Sequence, residues 1–465
     1  MTGVLNAWAA SLCLLACGAA SAQGVTLPPF ERVQLDNGVV LILSEKHEVP
    51  LVGIEIMLRG GAVTDQAGLE GLAALTAGLL EKGAGDRDAA AFAEAVAAVG
   101  GSLSARGGLE AITISGEFLA KDIDLMLELV ADMLRRPALE PNEFTKLRDR
   151  AANQLHAAKD SGLWSLLPYY GNAFLFGDHA YGRPVVGGEA SLAKIRHRDV
   201  RDYYRNHVGA DRLVIAIGGD FETAPMVAKL TTAFGDWEPA ATAPETPPAP
   251  APAPGPRVLL VDKPGAAQTY FWLGAPGVAI DYPRRAALNL ANTLFGGSFT
   301  SMLNSALRIE SGLTYGAFSV LTRPSMPGSV AVTSFTPVES TVEAIDMTLD
   351  VLRELHSAEL GEDALAAARN YLLGQFPTGL ETARQIAGTL AQIEFYGLGR
   401  DYVDAYGAAL HAVDTAALSA TIEEVYPRAD ELVFVLLGDA ERIREDIAKY
   451  GAVTEKPITD PDFSP

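Results

Sequence analysis

Apolar residues recur along this chain with two spacings, and the switches between them divide it into strands and helices. Short alternating runs at 32–34 and 39–44 flank Asp36-Asn37-Gly38 and predict a hairpin. The apolar run 51–58 predicts a third strand that stops at Arg59-Gly60-Gly61-Ala62. Helical spacing then takes over at 71–80 and 88–99, followed by a strand pair at 103–106 and 111–118. Helices are predicted over 123–135, 143–158, 162–175 and 199–206, and a wholly apolar strand over 212–219.

Residues 239–256 interrupt the pattern. Pro-Ala-Ala-Thr-Ala-Pro-Glu-Thr-Pro-Pro-Ala-Pro-Ala-Pro-Ala-Pro-Gly-Pro has no side chain large enough to anchor a core and reads as an extended, semi-rigid spacer. Beyond it the pattern repeats: strands at 257–261 and 269–275, helices from 283 and 298, strands at 314–321 and 329–335, helices from 338, 361 and 381, and a strand at 431–437. Leu432-Val-Phe-Val-Leu-Leu-Gly-Asp439 matches Leu213-Val-Ile-Ala-Ile-Gly-Gly-Asp220 in pattern, each closing its half. The expectation is an internal duplication of two α+β units, each a mostly antiparallel sheet packed with helices. The expected divisions are a leader at 1–22, a first domain at 30–238, the linker at 239–256 and a second domain at 257–450.

One stretch of the second half invites a chemical reading. In 294–321, Gly296-Gly297-Ser298 opens a predicted helix with Met302, Leu303, Ala306 and Leu307 on its apolar face, and Gly312 is placed to end it in a left-handed cap. A strand follows, with Tyr315, Ala317, Ser319 and Leu321 on one face. Arg308 in the last helical turn and Tyr315 at the start of the strand then point into the same space. A guanidinium and a phenol so placed donate hydrogen bonds to a carbonyl, and more strongly to a developing oxyanion. The plain alternative is that Arg suits a helix C-terminus and Tyr suits a sheet. The glycine pair carries no phosphate-loop signature, so it is read as helix initiation, and Arg196-His197-Arg198 as a solvated face.

Composition bounds the rest. At 465 residues and 49% hydrophobic, the chain exceeds one core and is globular. A net charge of -22 argues against nucleic acid or an anionic membrane as partner. The apolar run 4–16 is too short to span a bilayer, and Ala20-Ser21-Ala22 has the small-x-small form of a signal-peptidase site, so export to a bacterial periplasm is expected with no transmembrane segment in the mature chain. A second reading takes Leu14-Leu15-Ala16-Cys17 as a lipoprotein box with Cys17 lipidated. Cys13 and Cys17 are the only cysteines, so cleavage after Ala22 leaves no thiol for a disulfide or a metal.

The ordered segments Leu35-Asp-Asn-Gly-Val-Val-Leu, Arg59-Gly-Gly-Ala, Gly71-Leu-Ala, Val99-Gly-Gly-Ser-Leu-Ser-Ala, Tyr181-Gly-Arg-Pro-Val-Val-Gly and Tyr203-Tyr-Arg-Asn-His resemble the pitrilysin, insulinase and mitochondrial processing peptidase family of zinc metallopeptidases. The resemblance runs from about residue 30 to 450. It implies a zinc site of His-x-x-Glu-His on the first helix, with a Glu further along as third ligand. In register with Gly71-Leu-Ala, the first His falls on Ala74, the Glu on Ala77 and the second His on Gly78, so all three are missing. Asn153 or Gln154 stands where the third carboxylate belongs. No two of the seven His lie within five positions of each other, and Glu81, lacking a His partner, is read as solvated.

The resemblance also gives Arg308 and Tyr315 a role. Competent members carry an Arg and a Tyr with this seven-residue spacing in the C-terminal half, contacting the substrate carbonyl over the zinc. Two-chain members divide the parts, one subunit holding the zinc motif and the other the Arg/Tyr pair. This chain resembles the second kind: a metal-free subunit, inactive alone, paired with a homologous zinc-bearing subunit that supplies metal and general base for peptide hydrolysis. The competing expectation is a non-enzymatic peptide-binding or assembly module, since zinc-less relatives serve as core subunits of respiratory complexes. An active site with an unconventional metal is disfavoured by the His spacing.

Overall fold

A computed structural model describes residues 25–464, except 245, 252–254 and 358–359. The expected leader, with Cys13 and Cys17, lies outside these residues. The first half contains strands β1 (Glu31–Gln34), β2 (Val40–Glu45), β3 (Leu51–Arg59), β4 (Ser102–Gly107), β5 (Ala111–Leu119) and β6 (Leu213–Gly219), in the order β1-β2-β6-β3-β5-β4. The second contains β7 (Arg257–Asp262), β8 (Gln268–Pro276), β9 (Ala317–Leu321), β10 (Ser329–Pro337), β11 (Val433–Gly438) and β12 (Ala452–Pro457), in the order β12-β7-β11-β8-β10-β9. The two orders match from the second place onward, β2-β6-β3-β5-β4 against β7-β11-β8-β10-β9.

Each sheet is mostly antiparallel, as expected, with the closing strand of its half inserted parallel to its first long strand: β6 beside β2 and β11 beside β7. The outer strands differ. β1 pairs antiparallel with β2 through the predicted hairpin, whereas the matching place is filled by β12, parallel to β7. The pattern reading missed β12 because Ala-Val-Thr-Glu-Lys-Pro is largely exposed and offers no apolar run. It also missed the helix Thr223–Phe234, which buries only Met226, Leu230 and Phe234. The described linker residues form no helix or strand, and they are tied to the first half where Ala240 N donates to Asp211 (2.8 Å) and Thr242 Oγ1 to Asn206 O (2.7 Å).

Helices cross between the halves. The helix Ala383–Phe395, from the second half of the sequence, lies on the first sheet, where Ile386, Ala387, Leu390, Ala391 and Ile393 pack on Val40, Ile42, Val214 and Ala216. The helix Leu163–Phe176, from the first half, lies on the second sheet, joining Leu166, Leu167, Tyr170 and Phe174 to Leu259, Trp272, Val435 and Leu437 in one core. Opposite faces of both sheets are buried by helices of their own half, so β2 and β6 are apolar on both sides and read as continuous runs. Burial of Ile386, Leu390 and Ile393 contributes roughly 5–9 kcal/mol before entropy is counted.

Backbone detail fixes both seatings. Gly53 of β3 and Gly218 of β6 face each other across the ladder. A Cβ on Gly53 would stand 2.5 Å from the Arg384 backbone, and one on Gly218 2.7 Å from Ala383 O. In the mirror contact, a Cβ on Gly171 would stand 2.6 Å from the Trp272 ring. Arginines then cap each crossing helix. Arg59 donates to Phe395 O (2.7 Å) and stacks on that ring, and Arg257 does the same at Phe174. Cations belong at the negative end of a helix, and burial lowers the pKa of both.

Gly53→Ala is expected to lower unfolding stability by about 1–3 kcal/mol, because the Arg384 backbone must move to admit one methyl group. Denaturant titration measures it. An unchanged midpoint would show that the helix is not seated against that strand.

Candidate functional site

The segment around Arg308 is not the continuous helix its spacing predicts. Thr293–Gly297 and Ser305–Glu310 wind as π-helical turns on either side of a short α-turn, Met302–Asn304. Ser298 Oγ donates to Thr293 O (3.2 Å) and Asn304 Nδ2 to Ser298 O, side-chain bonds that compete with the helical ladder. Gly296 is needed for a close approach, since its Cβ would fall 2.4 Å from Ser319 N of β9. Wide turns of this kind recur at functional sites. Gly312 does take the left-handed conformation, at φ +68°.

The strand also begins later than predicted, at Ala317, so Tyr315 sits in the turn ahead of it and not on the face of Ala317. Buried polar groups hold that turn. Asn304 Nδ2 donates to Ser298 O (3.2 Å), while Asn304 Oδ1 accepts from Ala317 N (3.1 Å). Ser334 Oγ donates to Gly316 O (2.9 Å) and Thr336 Oγ1 to Leu313 O (2.7 Å). These residues were absent from the sequence reading; their signal, a buried Asn and two strand hydroxyls, is common in sheets.

The predicted pair does come together. The Arg308 guanidinium lies 4.8 Å from the Tyr315 ring centroid and 4.7 Å from that of Phe299, a third member that the sequence reading omitted. Tyr315 is 77% exposed and Phe299 59%. Neither the Arg308 guanidinium nor the Tyr315 hydroxyl has a hydrogen-bond or ion-pair partner among the described residues. Two rings thus contact the guanidinium and restrict its rotamers, leaving its N–H groups and the phenol unspent.

The erased motif occupies the helix Leu72–Leu80. Ala77 is buried, whereas Ala74 and Gly78 line a cavity of about 340 Å³ together with Gln154 from the helix Pro141–Ser161. Asp65 secures the start of that helix by accepting from Gly71 N and Ala73 N, both 2.9 Å, and burial pushes its carboxyl up to about 7 against the pull of those donors. Methyl, hydrogen and amide groups offer zinc no adequate ligand set, and no three His, Cys, Asp or Glu side chains gather to hold a metal among the described residues. Zinc therefore does not fit this helix. Two surface expectations are corrected. Glu81 is not solvated; its carboxylate accepts from Ala105 N of the edge strand β4 (2.5 Å). His197 is half-buried, with Nε2 donating to Leu139 O and its ring beside Phe144, while Arg196 and Arg198 are exposed.

Two family profiles match this chain: insulinase (peptidase family M16) over residues 40–186 and peptidase M16 inactive domain over residues 194–372. An uncharacterized zinc protease of Mycobacterium tuberculosis is 27% identical over 372 residues, spanning 79% of this chain and 84% of that protein. A non-peptidase homolog of Helicobacter pylori is 23% identical over 361 residues, 77% of this chain and 83% of its own. The crystal structure of a peptidase M16 inactive domain from Pseudomonas fluorescens superimposes with a TM-score of 0.82 at 21% identity, covering 92% of this chain and 99% of that one. No described helix is long and apolar enough to cross a membrane. With both sheets, the erased zinc motif and these matches in view, the chain belongs to the insulinase (M16) peptidase family, as an inactive-type member.

Proposed function

We propose that this chain is the metal-free subunit of an exported two-chain peptidase. A homologous partner supplies zinc and the general base, and the two chains enclose a chamber that admits short unstructured peptides. The observation that carries this reading is the exposed pair Arg308 and Tyr315, braced by Phe299 and by the Asn304 turn, with their donors unspent. A chain without a zinc motif has no use of its own for such donors, whereas a partner's metal site does. Arg308 and Tyr315 would bind the scissile carbonyl and hold its oxygen as negative charge develops. The apolar run 4–16 with Ala20-Ser21-Ala22 supports export, with lipidation at Cys17 as the variant form.

The test is co-purification from the native host with zinc counted per chain and hydrolysis of an unfolded peptide assayed. A homologous chain, one zinc per pair and activity lost on separation would support the reading. In that complex Arg308→Ala and Tyr315→Phe are each expected to lower kcat by roughly 10²-fold without dissociating the chains. Unchanged turnover in both removes the assignment. Asn304→Ala strips the Ala317 amide of its acceptor and is expected to destabilise the chain by about 1–3 kcal/mol in thermal unfolding. It should also reduce turnover by letting the Tyr315 turn drift.

The non-peptidase name of the H. pylori relative favours a second reading, a peptide-binding or assembly module. A metal-free homodimer that holds peptides uncut would support it and leave Arg308 and Tyr315 as clamps.

A further inference from the structure

The cavity over the erased motif has the features of a binding site. Its volume of about 340 Å³ falls within the roughly 300–1,000 Å³ of small-molecule pockets. Ala74 and Gly78 form part of its lining with Leu147, Ala151, Leu155 and Leu166, and the small residues leave room that longer side chains would fill. The same lining includes two exposed polar side chains, Arg150 and Gln154, spaced i, i+4 on the helix Pro141–Ser161 and therefore on one face of it. Neither has a hydrogen-bond or ion-pair partner among the described residues. In a chain of net charge -22, a guanidinium left free beside an apolar hollow is an attractor for a carboxylate, and the Gln154 amide adds a second donor.

We infer that this cavity binds a small amphiphilic carboxylate, with the hydrocarbon against Leu147, Leu155 and Leu166 and the carboxylate held by Arg150 and Gln154. Where the family resemblance sets a carboxylate to hold a cation, this chain presents N–H donors that hold an anion. Two sources carry the chemistry: the C-terminal residue of a peptide ending in a large apolar side chain, and a medium-chain fatty acid. The site needs no partner subunit and stands apart from the two-chain reading.

Calorimetric titration of the full chain tests it with four probes: N-acetyl-Ala-Ala-Leu as free acid and as amide, decanoate, and decanol. Saturable binding is expected for at least one acid, at least about tenfold tighter than for its neutral counterpart. The acid that binds identifies the source. Arg150→Ala, on an exposed helix face, should abolish the difference between acid and neutral probe, and Ala151→Trp should fill the cavity and remove binding. No saturable binding by any probe, equal affinity for acid and neutral forms, or binding undiminished in Ala151→Trp overturns the assignment. The Arg150→Ala result stands even where Ala151→Trp misfolds.

Discussion

The exchange of helices between the halves is the constraint on which the rest of this structure depends. A six-stranded sheet with one open apolar face is not a stable object in water, and each sheet here has its second face closed by a helix encoded in the other half. The seatings are specific as well as apolar. Gly53 and Gly218 clear the surface for one helix, Gly171 and Trp272 interlock under the other, and Arg59 and Arg257 terminate them in the same manner. Duplicated units have thus become one body with two sheets, and the site segments ride on it as fixed parts.

How much of this was legible depended on whether a signal was local. The double-sided burial of β2 is written in the run Val40, Leu41, Ile42, Leu43, and the Asp36-Asn37-Gly38 hairpin and the duplication are equally direct. The amphipathic stretch at 383–395 announces a helix but says nothing of which sheet it covers, since the surface that seats it is cleared by Gly53 and Gly218 in the first half of the sequence. β12 escaped because its partner strand, not its own apolarity, makes it a strand.

At the site the same division holds. The proximity of Arg308 and Tyr315 was legible from their spacing across the turn that follows the Gly312 helix cap. The route was not, because regular helical periodicity cannot reveal π-turns, and a strand start is set by which backbone groups find partners, here Ala317 with Asn304. Phe299 falls in the predicted helix one turn before Met302 and Leu303, where an aromatic reads as packing, and only the structure shows it exposed. Glu81 misled for a related reason: a carboxylate at a helix end is ordinarily hydrated, and only the nearness of the β4 edge gives it an amide to accept from.

The crossing of the Ala383–Phe395 helix bears on the order in which the molecule is made. During synthesis the first half emerges complete in strands yet lacks the cover for Val40, Ile42, Val214 and Ala216 until position 395 has left the ribosome. It cannot mature as an independent early unit, as leading domains commonly do. The apolar face of the first sheet therefore stays without its cover from the emergence of Leu213–Gly219 until Ala383–Phe395 follows.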